Sequence, residues 1–179
     1  MKIYTTKDYK AIIAGYLAEN VIIIPTDTIY GMTCIISSQK AKDRIFKVKG
    51  RSERMYLSVI VNSVRMAKKF IELTREDLQL FKKNETITII GKIKKDINSQ
   101  YNITNDNTIG LRITKSKWLR KIIKKVGPIY GTSVNISGQN YAREFDELKK
   151  FDVDIIVNNG YLDNLPSKIY NSLTKEFIR

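Results

Sequence analysis

Apolar runs too short for helices alternate along the chain with stretches of helical spacing. That alternation limits the possible folds more than any other feature of the sequence. Val21–Ile24 is β-branched throughout and is stopped by Pro25, which marks a buried strand. Leu57–Val61, Thr86–Ile90, Ile109–Thr114, Ile129–Thr132 and Ile155–Asn158 read as further strands. Between them, Tyr9, Ile12, Ile13, Tyr16 and Leu17 form one helical stripe, and Thr5 with Asp8 resembles a capping box at its start. Helices are also expected over Lys40–Lys47 behind Ser37 and Ser38, and around Val64, Ala67 and Ile71. The Thr74–Asp77 capping box opens another, which buries Leu78 and Phe81. Leu119–Val126 follows the cap Ser116 and ends at Gly127-Pro128, and Glu144–Phe151 is the last helix expected. The polar stretch Asn98–Asn107 reads as a loop. Strands separated by helices, without repeats or a long linker, predict one α/β domain over 1–179, built on a twisted sheet.

Composition narrows the chemistry. Lys and Arg number 32 against 18 Asp and Glu, a net charge of +14, so an anionic partner is expected: nucleic acid, nucleotide or membrane surface. The sequence has no histidine, which excludes Ser-His-Asp and Cys-His machinery and His-ligated metals. Cys34 is the single cysteine, so neither an intrachain disulfide nor a cysteine zinc site can form, which fits a reducing, cytoplasmic compartment. No run approaches the ~18 apolar residues of a membrane helix. The apolar Ala11–Ala18 belongs to the amphipathic stripe and is not an export signal. Basic residues are spread over Lys40–Arg54, Lys92–Lys95 and Lys115–Lys125. Along Leu119–Val126 they alternate with the apolar positions, the pattern of a solvated helix face.

GxxxxGK[ST] and GxGxxG are both missing, so phosphate recognition falls to other segments. In Lys49-Gly50-Arg51 two cations project to one side of an extended segment, a clamp for a polyphosphate or an ordinary basic turn. In Gly131–Gly138, Ser133 and Asn135 form one polar face at the end of a strand, equally compatible with a ligand site and a Ser/Asn turn. In Pro25–Gly31, Thr26, Thr28 and Tyr30 line one side, while Asp27 either orients a neighbour or caps the turn.

In this order the three segments resemble the YrdC/Sua5 family of threonylcarbamoyl-AMP synthases. Val21–Gly31 matches its strand followed by PTDT-x-YG, Lys49–Arg51 its KxR, and Ser133–Asn135 its SxN within TSxNxSG. Ile109–Arg112 matches its strand ending in arginine, and Pro166-Ser167 its Pro-Ser-Thr. The resemblance runs from Val21 to Arg179. It departs at Ser52–Leu57, where the family has proline and then Pro-Leu, and at Ile60, frequently polar there. It departs again at Asn84–Thr88, in place of Pro-Gly-Pro-Leu-Thr, and at Lys168–Asn171, in place of Thr-Ile-Val-Asp.

The resemblance implies a mixed sheet with a basic concave cleft. It implies condensation of L-threonine, bicarbonate and ATP to threonylcarbamoyl-AMP and pyrophosphate, for modification of adenosine 37 in tRNA. Fixed cations and donors suffice for that chemistry, with Mg2+ arriving on the nucleotide and no dedicated protein metal site. Lys49 and Arg51 are then the catalytic cations on phosphate and carbamate, with Thr108, Ser133, Asn135 and Arg179 on the nucleotide. Arg112 takes the threonine carboxylate, among Thr28, Tyr30, Thr132 and Ser167. tRNA and the transferase machinery that uses the product become the macromolecular partners. The alternative is a non-catalytic RNA-binding module of the same fold, although no aromatic-interleaved RNA motif is present. Lys49 and Arg51 are expected to face solvent. Replacing either with Ala should therefore weaken ATP binding by about 1.5–3 kcal/mol and leave folding intact. Wild-type ATP affinity and turnover in a folded Arg51→Ala variant would contradict this.

Overall fold

The computed structural model describes residues 1–50, 57–83, 85–104 and 106–178. In chain order its elements are β1 (Lys2–Thr5), α1 (Tyr9–Leu17), β2 (Ile22–Pro25), β3 (Tyr30–Ile35), α2 (Gln39–Lys49) and β4 (Ser58–Val61). Then come α3 (Val64–Phe70), α4 (Arg75–Lys82), β5 (Ile87–Lys92), α5 (Lys95–Tyr101), β6 (Thr108–Ile113) and α6 (Lys117–Val126). The last are β7 (Ile129–Ser133), α7 (Phe145–Leu148), β8 (Ile155–Asn158), β9 (Lys168–Asn171) and β10 (Glu176–Phe177). The strands form a single 10-stranded sheet in the order β1-β8-β2-β3-β7-β4-β6-β5-β9-β10. It is mixed: β4 runs parallel to β6 and β5 to β9, while β7 is antiparallel to both β3 and β4. The expected α/β domain with a mixed sheet flanked by helices is the fold observed.

Alternation along the strands sorts the core into two faces. Ile22 and Ile24 of β2 join Ile12 and Tyr16 of α1 and Leu119, Ile122, Ile123 and Val126 of α6. Ile23 points the other way, into a larger cluster with Met32, Ile45, Phe46, Val59 and Leu111. β2 is buried on both faces, which is why its sequence carries no polar alternation. Tyr16 places a hydroxyl inside the sheet, and it is satisfied by Thr33 Oγ1 at 2.6 Å.

Several local expectations need correction. Asn98–Asn107 is not all loop, because Lys95–Tyr101 is helical and ends at Asn102 in the left-handed region, φ 47°. The Asn98 side chain stabilises that end by accepting from the backbone N–H of Ile103 and Thr104. Glu144–Phe151 yields one helical turn, Phe145–Leu148. Thr5 and Asp8 do bond, but Asp8 Oδ2 accepts from the Thr5 N–H and hydroxyl, and the helix starts after Asp8 without the reciprocal bond. The Thr74–Asp77 box forms as expected, at 3.1 and 2.9 Å, yet α4 buries Asp77 and Leu80, leaving Leu78 and Phe81 half-buried. A Ser172 hydroxyl bond to Asp77 sets that phase.

Central register brings the strand ends together. Gly31 pairs with Ser133 and Gly131 with Ser58, while Thr88 faces both Arg112 and Ile169. Gly131 sits beneath Ile60, and a Cβ there would lie 2.5 Å from Ile60 Cδ1 and 3.1 Å from Cγ1. Gly131→Ala should therefore destabilise by about 1–3 kcal/mol through overpacking. Adding Ile60→Val should recover part of that loss in urea unfolding; simple additivity would show that the two do not meet.

Candidate functional site

A cleft of about 600 Å3 opens at these strand ends. Thr28, Tyr30, Thr108, Arg112, Thr132, Ser133, Asn135 and Ser167 all line it, so eight residues selected from the sequence converge from four segments. Thr26, expected on the same face as Thr28 and Tyr30, lines it too, whereas the sequence reading missed Ser58, Thr88, Gln139 and Tyr141. Thr88 was the most accessible of these, since it stands directly across the ladder from Arg112. Arg51 and Arg179 lie outside the described residues, as do the departures at 52–56 and Asn84.

Arg112 is 8% exposed and is held by Asp27. Its Nη2 donates to Asp27 Oδ1 at 2.7 Å and to Thr26 Oγ1 at 3.3 Å. Nε is buried without a hydrogen-bond partner among the described residues. An unsatisfied buried guanidinium donor is costly. Asp27 accepts further from Thr114 Oγ1 at 2.7 Å, the Lys115 N–H at 3.1 Å and Thr86 Oγ1 at 3.1 Å. Of the two roles left open for Asp27, the structure selects the orienting one. Burial pushes its carboxyl up, but the Arg112 charge and the bonds from Thr114 and Lys115 outweigh burial and hold it below the ordinary carboxylate value.

The hydroxyls are arranged in pairs. Thr26 Oγ1 donates to the Ile29 carbonyl at 2.7 Å and lies 3.0 Å from Thr28 Oγ1. Thr88 Oγ1 and Ser167 Oγ lie 2.8 Å apart. Tyr30 spends its hydroxyl on Gly160 O at 2.8 Å and the Asn159 N–H at 2.9 Å, so it anchors the 158–160 segment and presents no free hydroxyl.

Lys49 departs most from expectation. It is the last residue of α2, not part of an extended segment, and Gly50 caps that helix at φ 57°. Only 2% exposed, Lys49 does not face solvent, and it is not among the lining residues. Its Nζ donates to Ser133 O at 2.6 Å, Asn135 O at 2.8 Å and Asn135 Oδ1 at 2.7 Å. A solvent-facing Lys49, the premise for expecting Lys49→Ala to leave folding intact, is not what the structure shows. The expected concave cleft is present. Among the described residues, however, its one charged lining side chain is Arg112, already paired with Asp27, so these residues do not make it basic.

The Sua5/YciO/YrdC family model, described as "Telomere recombination", matches residues 16–179. The chain belongs to that family. It is 26% identical over 159 residues to the threonylcarbamoyl-AMP synthase of Bos taurus, covering 87% of this chain and 57% of that protein. A threonylcarbamoyl-AMP synthase of Wigglesworthia glossinidia brevipalpis is 28% identical, with 100% and 99% covered. The chain thus spans little more than half the length of the mammalian relatives. The crystal structure of P. abyssi Sua5 complexed with L-threonine superposes with a TM-score of 0.83 at 17% identity, over 97% of this chain and 55% of that one. Among the described residues no helix is long and apolar enough to cross a membrane.

Asp27→Asn should expose the role of the buried pair. The substitution keeps the shape but strands the Arg112 charge, at a cost of about 3–5 kcal/mol in urea unfolding at neutral pH. Because the folded carboxyl titrates below its unfolded value of 3.8, Asp27 contributes stability that is present above that value and lost as pH falls through the folded one. The variant's stability should therefore fall less steeply below about pH 4 than wild type's. Parallel acid limbs would remove Asp27 from this role.

Proposed function

We propose that this protein is an L-threonylcarbamoyl-AMP synthase that supplies the activated group for modification of adenosine 37 in tRNA. The observation that carries this reading is Arg112, oriented by Asp27 and the one charged side chain among the described residues that line a cleft ringed by hydroxyls. The relatives named as synthases and the threonine complex of a protein with the same fold support it.

Bicarbonate and the neutral amine of threonine give the carbamate and water. A carbamate oxygen then attacks the α-phosphorus of ATP, the bond to the β-phosphate bridging oxygen breaks, and pyrophosphate leaves. Negative charge stays on oxygens throughout, so oriented donors lower the barrier and no protein nucleophile is required. Arg112 holds the threonine carboxylate, and Thr28, Thr132 and Ser167 surround its side chain beside the Tyr30 ring. Ser133, Asn135 and Thr108 receive the nucleotide, with Arg51 on its phosphates and Arg179 a further nucleotide contact. Mg2+ accompanies ATP and offsets phosphate charge when bound.

Pyrophosphate release from ATP is expected to require both L-threonine and bicarbonate. Release independent of either contradicts the synthase. Salt-dependent RNA binding without synthesis would instead return the binding-module reading. Arg112→Lys should raise the threonine requirement sharply and leave ATP binding nearly unchanged, because an ammonium cannot reproduce two parallel bonds to a carboxylate. Valine should be rejected more strongly than serine, since it leaves pocket hydroxyls unpaired. Equal weakening of both ligands by Arg112→Lys, or of neither, removes Arg112 from the amino-acid site.

A further inference from the structure

The ammonium of Lys49 carries three protons, and among the described residues it donates to the carbonyls of Ser133 and Asn135 and to the Asn135 side-chain oxygen. All three belong to the turn that ends β7. The Ser137 N–H returns to Lys49 O at 3.0 Å, so the end of α2 and this turn are joined from both sides. The helix C-terminus favours a cation at that place. We propose that Lys49 is a positioning residue, which acts on the nucleotide through the Ser133–Asn135 turn and does not touch a phosphate. This inference rests on Ser133 and Asn135 receiving the nucleotide, as proposed above.

The geometry fixes more than position. Lys49 is donor-only, so the Asn135 oxygen must point at it, and the Asn135 amide nitrogen then donates to Gln139 O at 2.8 Å. That oxygen also accepts from Ser133 Oγ at 2.7 Å. The serine proton is thereby committed inward, and Ser133 Oγ meets the cleft with its lone pairs. It suits a hydroxyl or amino group of the nucleotide and repels a phosphate oxygen. Lys49 thus sets the polarity of a hydroxyl that it does not itself touch.

The two roles separate when nucleotides of different phosphate number are compared by calorimetry. A positioning role predicts that Lys49→Met weakens AMP, ADP and ATP by a common factor, about tenfold, because the shared nucleoside end is affected. Lys49→Arg should not restore affinity, since a guanidinium fork does not fit between three converging carbonyls. Direct phosphate contact predicts a loss that grows from AMP to ATP and is rescued by Arg, and that result overturns the proposal. Wild-type protein tests it without a variant, by amine acylation read by mass spectrometry. Lys49 should react slowly in the free protein relative to the exposed Lys40 and Lys47, and at the same rate with ATP added. Fast labelling that ATP suppresses overturns the proposal even if Lys49→Met does not fold. If the wild type binds none of the three nucleotides, the nucleotide reading falls and the proposal with it. Slow labelling in the free protein would then still report the buried contact, so the two failures are distinguishable.

Discussion

The candidate site depends on one carboxylate. Asp27 lies in the loop between β2 and β3 and gathers donors from Arg112, Thr114, Lys115 and Thr86. These come from β6, the segment that follows it and the residue before β5, so one side chain ties the β2–β3 loop to that part of the sheet. An arginine buried alone would be prohibitively costly, and even a paired one adds little net stability. Preorganisation is the gain: a guanidinium already held in place loses little entropy when a ligand anion arrives, and its field acts in a poorly solvated cleft.

Topology explains why the cleft lies where it does. β7 is antiparallel to both of its neighbours, whereas β4 and β6 run parallel, so strand direction switches beside the cleft. At the switch, Gly131 leaves its face bare, and Ile60 from β4 folds across it. That isoleucine is one of the departures from the family pattern. Its packing against Gly131 gives it a structural reason within this chain. Whether an equivalent polar residue would serve a ligand is secondary to the steric fact that the glycine and the isoleucine fit each other.

Much of this was legible in advance, for identifiable reasons. β2, β4 and β8 announced themselves because strands buried on both faces read as runs of branched apolar residues. β3 did not, since Tyr-Gly-Met-Thr-Cys-Ile mixes sizes and polarities and is recognised only when it pairs with β2. α5 was hidden by a polar composition in which only Ile97 and Tyr101 pack inward. Eight cleft residues were legible because short motifs at strand ends recur in a fixed order. The partnership of Asp27 with Arg112 spans 85 residues and left no local trace. Lys49 misled for a related reason: a lysine flanked by glycine is ordinarily solvated, and only the tertiary convergence of three carbonyls can bury it.

The proton inventory completes the chemical argument. Thr26 Oγ1 gives its proton to the Ile29 carbonyl and accepts from the Thr28 N–H and Arg112 Nη2. Ser133 gives its proton to Asn135 Oδ1 and meets the cleft with lone pairs. Under the proposed function, the donor fork at Arg112 orients the substrate carboxylate, and the cleft hydroxyls face its amine and hydroxyl. Among the described lining residues there is no carboxylate to take a proton from that amine, and Asp27 is occupied by four donors. In the proposed reaction the neutral amine loses a single proton, and the hydroxyl of bicarbonate leaves with it as water. Under that proposal the site's task is to orient the amine by hydrogen-bond direction, while bicarbonate carries the proton away.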